Sequence, residues 1–347
     1  MKIAVLTSNP LFAEGGHVVL ARAVVDALRN AGHEVDLVRT PQNRFGRQGA
    51  AYLATWLTDV EMAHDESRVD QVISFRYPSY AARHPRHVCW LNHRMREYYD
   101  LWDRFIVPLK WKGLVKEQVR RRIIHAVDRR LLTKNVTKLY TISQTITDRL
   151  SRFGNIPSEV LYPPAPPRPY RCDGYGDEFF AVSRLTALKR LDLIVRACAE
   201  PAGQHLRCAI AGDGEDAQAL RTLARDLGVE KRVRFLGAID TMQLVTHLAT
   251  CRAVVFPTFA EDYGLVTVEA FASRKAVIAC RDGGGPAELV GDGREGVLCD
   301  PTPASIAAAM VELAEAPGLA ERLGAAAALA AEAITWPKTL DKLLLRT

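Results

Sequence analysis

The sequence predicts an α/β protein of two doubly wound domains, each with a parallel sheet between layers of helices. Its 347 residues are too many for one ordinary hydrophobic core, so two domains are expected. Short apolar segments alternate with helical patterns along the chain, which is typical of parallel sheets. Five prolines within residues 163–169 predict an extended, stiff segment, which we interpret as the linker between the domains.

The linker position sets the expected domain boundaries. We predict an N-terminal domain over residues 1–164, a C-terminal domain over 165–330, and a final helix over 331–347 that returns to the first domain. The composition, 48% hydrophobic and 25% charged, excludes a disordered chain. No apolar segment reaches the ~18 residues needed to span a bilayer. Residues 1–7 also lack the features of a signal peptide, so we expect a cytoplasmic protein.

The first half begins with a βαβ pattern. Residues 3–7 read as a buried strand, residues 18–28 as a helix that ends at Gly32, and residues 34–38 as the next strand. Gly15 and Gly16 precede the helix, so their backbone N–H groups could bind an anion at its positive end. The alternative is that these glycines only make a tight turn. Further strands are expected at residues 72–75, 88–91 and 139–142.

Charge is unevenly distributed along the chain. Residues 1–170 contain 26 Lys and Arg against 16 Asp and Glu, whereas residues 171–347 contain 20 against 24. A basic half favours a partner with anionic groups, such as phosphorylated acceptors, lipid headgroups or nucleic acid. Residues 94–138 interleave aromatic and basic side chains, which predicts peripheral binding to an anionic membrane on its inner face. The alternative is a helical excursion whose aromatic side chains pack inward.

The second half repeats the alternation of strands and helices. Strands are expected at residues 179–182, 207–211, 233–236, 253–256 and 276–280. Arg184 and Lys189 follow the first of these strands, where two cations suit a diphosphate. Glu261 lies in the loop after residues 253–256, and Glu269 lies two turns into the helix that follows. We expect Glu261 to bind sugar hydroxyls and Glu269 to bind the vicinal hydroxyls of a ribose.

The same loop can bind phosphate through its backbone. The N–H groups of Gly264, Leu265 and Val266 lie at the N-terminus of the predicted helix, where anions are stabilised. Cations for a diphosphate and acids for two sugars are the groups that a sugar nucleotide needs. The sequence therefore predicts a sugar-nucleotide site at the carboxyl ends of the second sheet.

These motifs resemble those of the retaining glycosyltransferases of family 4, which have the GT-B fold. The most specific part is the pair of glutamates, Glu261 and Glu269, with Glu-Asp-Tyr-Gly-Leu at its start. Ser183-Arg184-Leu185 with Lys189-Arg190 is similar to the family's Gly-Arg-Leu…Lys segment, with serine in place of glycine. Gly15-Gly16 and Tyr162-Pro163-Pro164 are similar to its N-terminal loop and its interdomain segment. The segment around His93 resembles that of mannosyltransferase-like members.

The resemblance implies two Rossmann-like domains facing each other across a cleft, and roles for individual residues. The implied catalytic residues are His93, Glu261, Arg184 and Lys189. The implied donor-binding residues are Gly15, Gly16, Arg184, Lys189, Ile239, Glu261, Asp262, Tyr263, Gly264, Leu265, Val266 and Glu269. The implied acceptor-side residues are His93, Arg96 and Tyr99.

The implied reaction is retaining transfer of mannose from GDP-mannose to a glycan, a lipid-linked acceptor or another hydroxyl, with a UDP-sugar as the alternative donor. No cofactor and no nucleic-acid partner are expected. The sequence has no Asp-x-Asp pair, and its seven cysteines form no Cys-x-x-Cys pair. We therefore expect reduced thiols, no zinc site and a metal-independent reaction.

The sequence leaves two other functions open. Gly212-Asp213-Gly214-Glu215-Asp216-Ala217 fits the loose dinucleotide pattern Gly-x-Gly-x-x-Ala and would suit an NAD(P)-dependent oxidoreductase. That pattern is weak by itself, and no ribose-binding acid follows it at the usual distance. A catalytically inactive scaffold of the same fold is the other alternative, and the presence of both cations and both glutamates argues against it.

Overall fold

The computed structural model describes residues 1–9, 15–42 and 46–346, and the chain divides into two compact units. The first unit comprises residues 1–163 together with 336–347, and the second comprises residues 164–335. Each unit contains one six-stranded parallel sheet, counted over the described residues. The expected α/β class with two doubly wound domains is confirmed.

The strands are short and mostly buried. In chain order they are β1 Lys2–Asn9, β2 Glu34–Pro41, β3 Gln71–Ser74, β4 His87–Leu91, β5 Lys138–Thr141, β6 Glu159–Val160, β7 Glu178–Val182, β8 Arg207–Ala211, β9 Val233–Gly237, β10 Val254–Phe256, β11 Val277–Cys280 and β12 Gly296–Cys299. The first sheet has the order β2-β1-β3-β4-β5-β6 and the second the order β12-β11-β10-β7-β8-β9. Most of these strands are apolar and buried on both faces, as parallel sheets require, whereas the edge strands β2, β6 and β9 are partly exposed.

Most of the helices lie between successive strands, and the last three follow β12. In chain order the helices are α1 Gly16–Asn30, α2 Gln48–Trp56, α3 Trp102–Ile106, α4 Trp111–Arg130, α5 Gln144–Arg152, α6 Leu191–Ala199, α7 Ala217–Asp226, α8 Thr241–Thr250, α9 Leu265–Ala272, α10 Gly285–Leu289, α11 Pro303–Glu315, α12 Pro317–Ala333 and α13 Trp336–Leu343. Helix α13 belongs to the first unit, where Gln71 donates a hydrogen bond to the Leu343 carbonyl at 2.7 Å.

The order of the second sheet places the candidate site. Counted from its first strand, this sheet has the Rossmann order 3-2-1-4-5-6, and the order reverses between β7 and β10. In doubly wound sheets, ligands bind beside the carboxyl ends of the strands at such a switch point. The loops that follow Val182 of β7 and Phe256 of β10 flank this point. Two apolar clusters cover the two faces of the sheet and hold these loops on a rigid base.

The aromatic residues after β4 mostly pack inward. Tyr98, Tyr99 and Trp102 are buried in a cluster with Ile124 of α4. The expectation that these three side chains face a membrane is therefore wrong, and the inward-packing alternative holds for them. Trp111 differs, since 71% of its surface is exposed. Within the described residues, no helix combines the length and apolarity that crossing a membrane would require.

Candidate functional site

Lys189, one of the two cations expected to bind phosphate, lies against the loop that carries Glu261. Lys189 ends a short 3-10 turn after β7, and its Nζ lies 2.5 Å from Oε2 of Glu261. About a fifth of each side chain is exposed. The structure thus brings together two of the predicted catalytic residues at the switch point of the second sheet. Together they present one cation and one anion to the solvent in front of it.

Arg190, for which the sequence suggested no role, holds the base of this loop. Its guanidinium donates to both carboxylate oxygens of Asp282, at 2.9 and 2.6 Å, and to the carbonyls of Pro257 and Thr258, at 2.7 and 2.6 Å. A planar guanidinium suits such a set of acceptors. Its adjacency to Lys189 was visible in the sequence, but its four acceptors come from two distant loops.

The acidic loop is joined to the glycine-rich loop by backbone hydrogen bonds. Glu261 donates its N–H to Gly283 at 2.7 Å and accepts at its carbonyl from Gly285 at 2.9 Å. A side chain at Gly284, which has φ of +75°, would place its Cβ 2.4 Å from the Glu261 carbonyl oxygen. Glycine is therefore required between these loops, because only it permits both the conformation and the close approach.

Gly264 makes the turn into α9. Its φ is +75°, and a Cβ there would lie 2.6 Å from Phe256 and 2.9 Å from Pro286. Helix α9 starts at Leu265, so the first N–H groups of the helix follow directly after this turn. Leu265 and Val266 are half-buried, and Val266 packs on the core of the unit. The turn thus lies directly before the helix start, and the binding of an anion by its N–H groups stays a prediction.

Glu269 is buried and paired within the second unit. Its Oε1 forms an ion pair with Nη1 of Arg168 and accepts a hydrogen bond from the Tyr170 hydroxyl at 3.0 Å. Burial raises the pKa of the Glu269 carboxyl, and Arg168 and Tyr170 act in the opposite direction. Both partners favour the ionised form of the buried carboxylate, since an unpaired buried charge would take up a proton instead.

Arg168 and Tyr170 are site residues that sequence reasoning missed. They lie at the end of the proline-rich segment, which we interpreted only as a linker. Arg168 stands about a hundred positions before Glu269, so no local pattern connects the two. What the sequence did show was a cation and a tyrosine at the end of a stiff segment, next to the domain that carries the candidate site.

The other residues predicted to bind the donor are placed in the second unit as follows. Arg184 is exposed at the carboxyl end of β7, Asp262 is half-buried, and Tyr263 is buried. Ile239 packs on the same apolar cluster as Val266.

The predicted residues of the first unit are placed as follows. Gly15 caps α1, and its carbonyl accepts from Val18 at 2.9 Å, while Gly16 is exposed at the first position of the helix. His93 follows β4, is half-buried, and has its Nδ1 2.6 Å from the Arg94 carbonyl oxygen.

His93 lines a small recess of the first unit together with Arg96 and Tyr99. The Arg96 guanidinium pairs with Asp100 at 2.7 Å. The ring of Tyr99 lies under the guanidinium of Arg94 at 3.7 Å, and its hydroxyl donates to Asp128 at 2.7 Å. The three acceptor-side residues are thus neighbours, but the Tyr99 hydroxyl is already bound inside the unit.

The glycine pattern after β8 has a packing role. A Cβ at Gly212 would lie 1.8 Å from the Ser183 carbonyl oxygen, and one at Gly214 would lie 2.3 Å from that of Leu185. These glycines let the loop after β8 pass directly against the loop after β7. The pattern that suggested an oxidoreductase is therefore explained by packing of two neighbouring loops.

Comparison with known proteins finds a family match over the part of the chain that contains this candidate site. Residues 173–329 match the family model described as "Glycosyl transferases group 1". A D-inositol 3-phosphate glycosyltransferase of Thermomonospora curvata is 34% identical over 175 residues, which are 47% of this chain and 40% of that protein. The protein of the same name from Corynebacterium diphtheriae is 34% identical over 171 residues, with the same coverage. The matched region thus spans less than half the length of these curated relatives.

Solved structures match over almost the whole chain. Anabaena HepE in complex with UDP and glucose has a TM-score of 0.70 at 18% identity, covering 99% of this chain and 98% of that one. Sucrose-phosphate synthase from Thermosynechococcus elongatus has a TM-score of 0.76 at 17% identity, covering 98% and 96%. At such identities the likeness shows the fold. The chain has the GT-B fold, and residues 173–329 of its second unit carry the sequence pattern of the group 1 glycosyl transferases.

Proposed function

We propose that the protein is a retaining glycosyltransferase that moves a sugar from a nucleoside diphosphate sugar to a hydroxyl group of its acceptor. The observation that carries this proposal is the Lys189–Glu261 pair beside the switch point, at 2.5 Å. A cation suits the diphosphate and a carboxylate suits the sugar hydroxyls. The group 1 match over residues 173–329 supports the same donor class.

In this mechanism the donor residues act on the leaving group. Arg184, Lys189 and the N–H groups at the start of α9 stabilise the negative charge that develops on the diphosphate, and such stabilisation is a major part of many catalytic rates. The acceptor oxygen forms its bond to the anomeric carbon on the face from which the diphosphate leaves. The hydroxyl proton moves to the departing phosphate oxygen.

Glu269 binds the nucleotide ribose in this proposal, and Ile239 contacts the base. Arg168 and Tyr170 hold the Glu269 carboxylate in place and favour its ionised form. Gly15 and Gly16 of the first unit approach the donor phosphate. His93, with Arg96 and Tyr99 nearby, contributes to the acceptor side.

The donor has two candidates. The segment around His93 and the sequence of the acidic motif resemble those of mannosyltransferase-like members, which favours GDP-mannose as the donor. A neighbour of the same fold was solved with UDP and glucose, which favours a UDP-sugar as the second candidate. The matched relatives are named for D-inositol 3-phosphate. A phosphorylated acceptor of this kind suits the basic charge of residues 1–170.

The deciding experiment incubates the protein with GDP-mannose and with a panel of UDP-sugars, with D-inositol 3-phosphate as acceptor, and follows nucleotide release and product mass. Turnover with GDP-mannose supports the first donor, and turnover with a UDP-sugar alone supports the second. Lys189→Met should abolish turnover, whereas Lys231→Met, on an exposed loop of the same unit, should retain it. A protein that binds none of these nucleotides would contradict the proposal.

The expected association with an anionic membrane, on its inner face, also belongs to this proposal. The inward packing of Tyr98, Tyr99 and Trp102 removes these three aromatic side chains from its basis. The part of the same segment that forms α4, together with α2, supports it.

A further inference from the structure

Helices α2 and α4 of the first unit border an open groove of about 610 Å³. Helix α2 contributes positions 48, 49, 52, 53 and 56, and α4 contributes positions 116, 119, 120, 123, 124, 127 and 130. Both sets have the spacing of one helix face. The volume lies in the range of sites that bind small molecules.

The groove has a closed floor and open apolar walls. Tyr52, Ile124 and Leu131 are buried along the floor, and the Tyr52 hydroxyl of α2 donates to Asp128 of α4. The walls include Leu53, Val119 and Ile123, which are 58%, 53% and 59% exposed. Side chains of this kind gathered around one groove mark a binding surface more often than scattered exposed residues do.

The charge around the groove is positive. The two carboxylates of α4, Glu117 and Asp128, are buried, and both accept hydrogen bonds from tyrosine hydroxyls. Arg120 pairs with Glu117, and the basic side chains of α4 that are exposed, with no exposed acid beside them on the helix, are those of Lys112, Lys116, Arg122, Arg129 and Arg130. Lys116 and Arg130 are exposed and line the groove fourteen residues apart, about 21 Å along the helix.

Two tryptophans are exposed on α2 and α4. Trp56 lines the groove and is 39% exposed, whereas Trp111, at the start of α4, is 71% exposed and lies outside the groove lining. The Arg83 guanidinium lies 5.3 Å from the ring of Trp56, and the Lys112 ammonium lies 5.4 Å from that of Trp111. Exposed tryptophan beside basic residues and an aliphatic surface is the composition of segments that lie at a membrane interface.

We propose that the α2–α4 groove binds the hydrocarbon chain of an anionic phospholipid, with Lys116 and Arg130 contacting lipid phosphates. Charge complementarity selects this occupant, because the groove combines an apolar interior with exposed cations at both ends. The inference deepens the membrane part of the proposed function and does not depend on the transfer reaction. Vesicle binding measured without donor or acceptor therefore tests it separately from that reaction.

The experiment is cosedimentation of the full chain with vesicles of phosphatidylcholine alone or mixed with phosphatidylglycerol. We expect binding to the mixed vesicles that weakens as salt is added. Lys116→Gln with Arg130→Gln should weaken it by about 30-fold, since each basic residue near an anionic surface contributes about fivefold. The matched control, Arg225→Gln with Lys231→Gln, removes the same charges from exposed positions of the second unit and should bind as the wild type.

Two further variants test the groove itself. Ile123→Ser should weaken binding to the mixed vesicles several-fold, whereas Leu329→Ser, which alters an equally exposed apolar side chain of α12, should not. Brominated lipids should quench tryptophan fluorescence, and Trp56→Phe should reduce that quenching more than Trp336→Phe does. Circular dichroism and the thermal midpoint confirm that each variant is folded.

The proposal is overturned if the chain does not bind the mixed vesicles, or if folded groove variants bind them as tightly as their controls. Self-association that Ile123→Ser abolishes, without vesicle binding, would identify the groove as a contact between two copies of the chain. That outcome would also overturn the lipid assignment.

Discussion

At the residue scale, Glu269 illustrates how a buried acid can remain useful for binding. It is 5% exposed, and burial raises the pKa of its carboxyl. Arg168 and Tyr170 oppose that effect by stabilising the ionised form. The carboxylate can then accept hydrogen bonds from a ribose as a charged group, which makes such bonds about twice as strong as neutral ones.

Replacing Glu269 should weaken donor binding. Glu269→Ala removes the charge-assisted hydrogen bonds to the ribose, so nucleotide affinity should fall by about 1–3 kcal/mol in calorimetric titration. The control is Glu312→Ala, on an exposed position of α11. Wild-type nucleotide affinity in folded Glu269→Ala would contradict the ribose role.

Replacing Arg168 should destabilise the protein in a pH-dependent way. Arg168→Met leaves the buried Glu269 carboxylate without its cation, which should cost about 3 kcal/mol of unfolding free energy at neutral pH. The pKa of Glu269, already raised by burial, should rise further, so the folded variant should take up a proton more readily than the unfolded chain. The deficit relative to wild type should therefore shrink as pH falls toward about 5.

Urea titrations of both proteins across this pH range measure that deficit. Arg171→Met is the control, because its partner Asp173 is largely exposed and the pair contributes little. A deficit for Arg168→Met that does not change with pH would exclude the titration of Glu269 as its cause.

His93 belongs to the acceptor side in our proposal. His93→Ala should lower turnover by at least tenfold while leaving nucleotide affinity within about twofold, since we assign His93 to the acceptor side and not to the donor-binding residues. Steady-state rates and nucleotide titrations on the same preparation distinguish the two effects. Unchanged turnover would remove His93 from the catalytic residues.

At the element scale, the turn into α9 depends on the absence of a side chain at Gly264. Gly264→Ala would strain a residue with φ of +75° and force its Cβ against Phe256 and Pro286. We expect a loss of about 1–3 kcal/mol in unfolding free energy, and weaker nucleotide binding because the start of α9 would shift.

Gly318→Ala is the control for this substitution. Gly318 lies in the first turn of α12, and a Cβ there meets nothing within 4 Å. Alanine should be neutral or stabilise the helix slightly. If Gly264→Ala were equally harmless in denaturation and in nucleotide titration, the close packing of this turn would have no functional role.

At the scale of the whole molecule, we predict a reaction that needs no divalent metal. In the proposed mechanism Arg184, Lys189 and the start of α9 supply the positive charge that a metal supplies elsewhere. Turnover should stay within about twofold after chelation with EDTA and after addition of Mg²⁺ or Mn²⁺. Loss of activity with EDTA, restored by one of these ions, would overturn this prediction.

The fold class and much of the donor-side pattern could be predicted because their determinants are local. Apolar runs of strand length alternate with helical periodicity, and Lys189, Glu261 and Gly264 each lie directly after a strand or before a helix. The carboxyl ends of parallel strands lie on one edge of a sheet, so positions far apart in the sequence could be assigned to one site. The Lys189–Glu261 pair of the structure agrees with that assignment.

The tertiary structure decided what depends on partners distant in the sequence. Arg168 and Tyr170 bind Glu269, and Arg190 binds the base of the acidic loop. These contacts join residues that are roughly 70 to 100 positions apart in the sequence. The burial of Tyr98 and Tyr99 could not be predicted either, because an amphipathic pattern does not show which aromatic side chains pack into a core. The sequence by itself determined the fold and the chemical groups of the candidate site, since both follow from short-range pattern. Packing alone decided which charges are paired and which apolar side chains stay exposed.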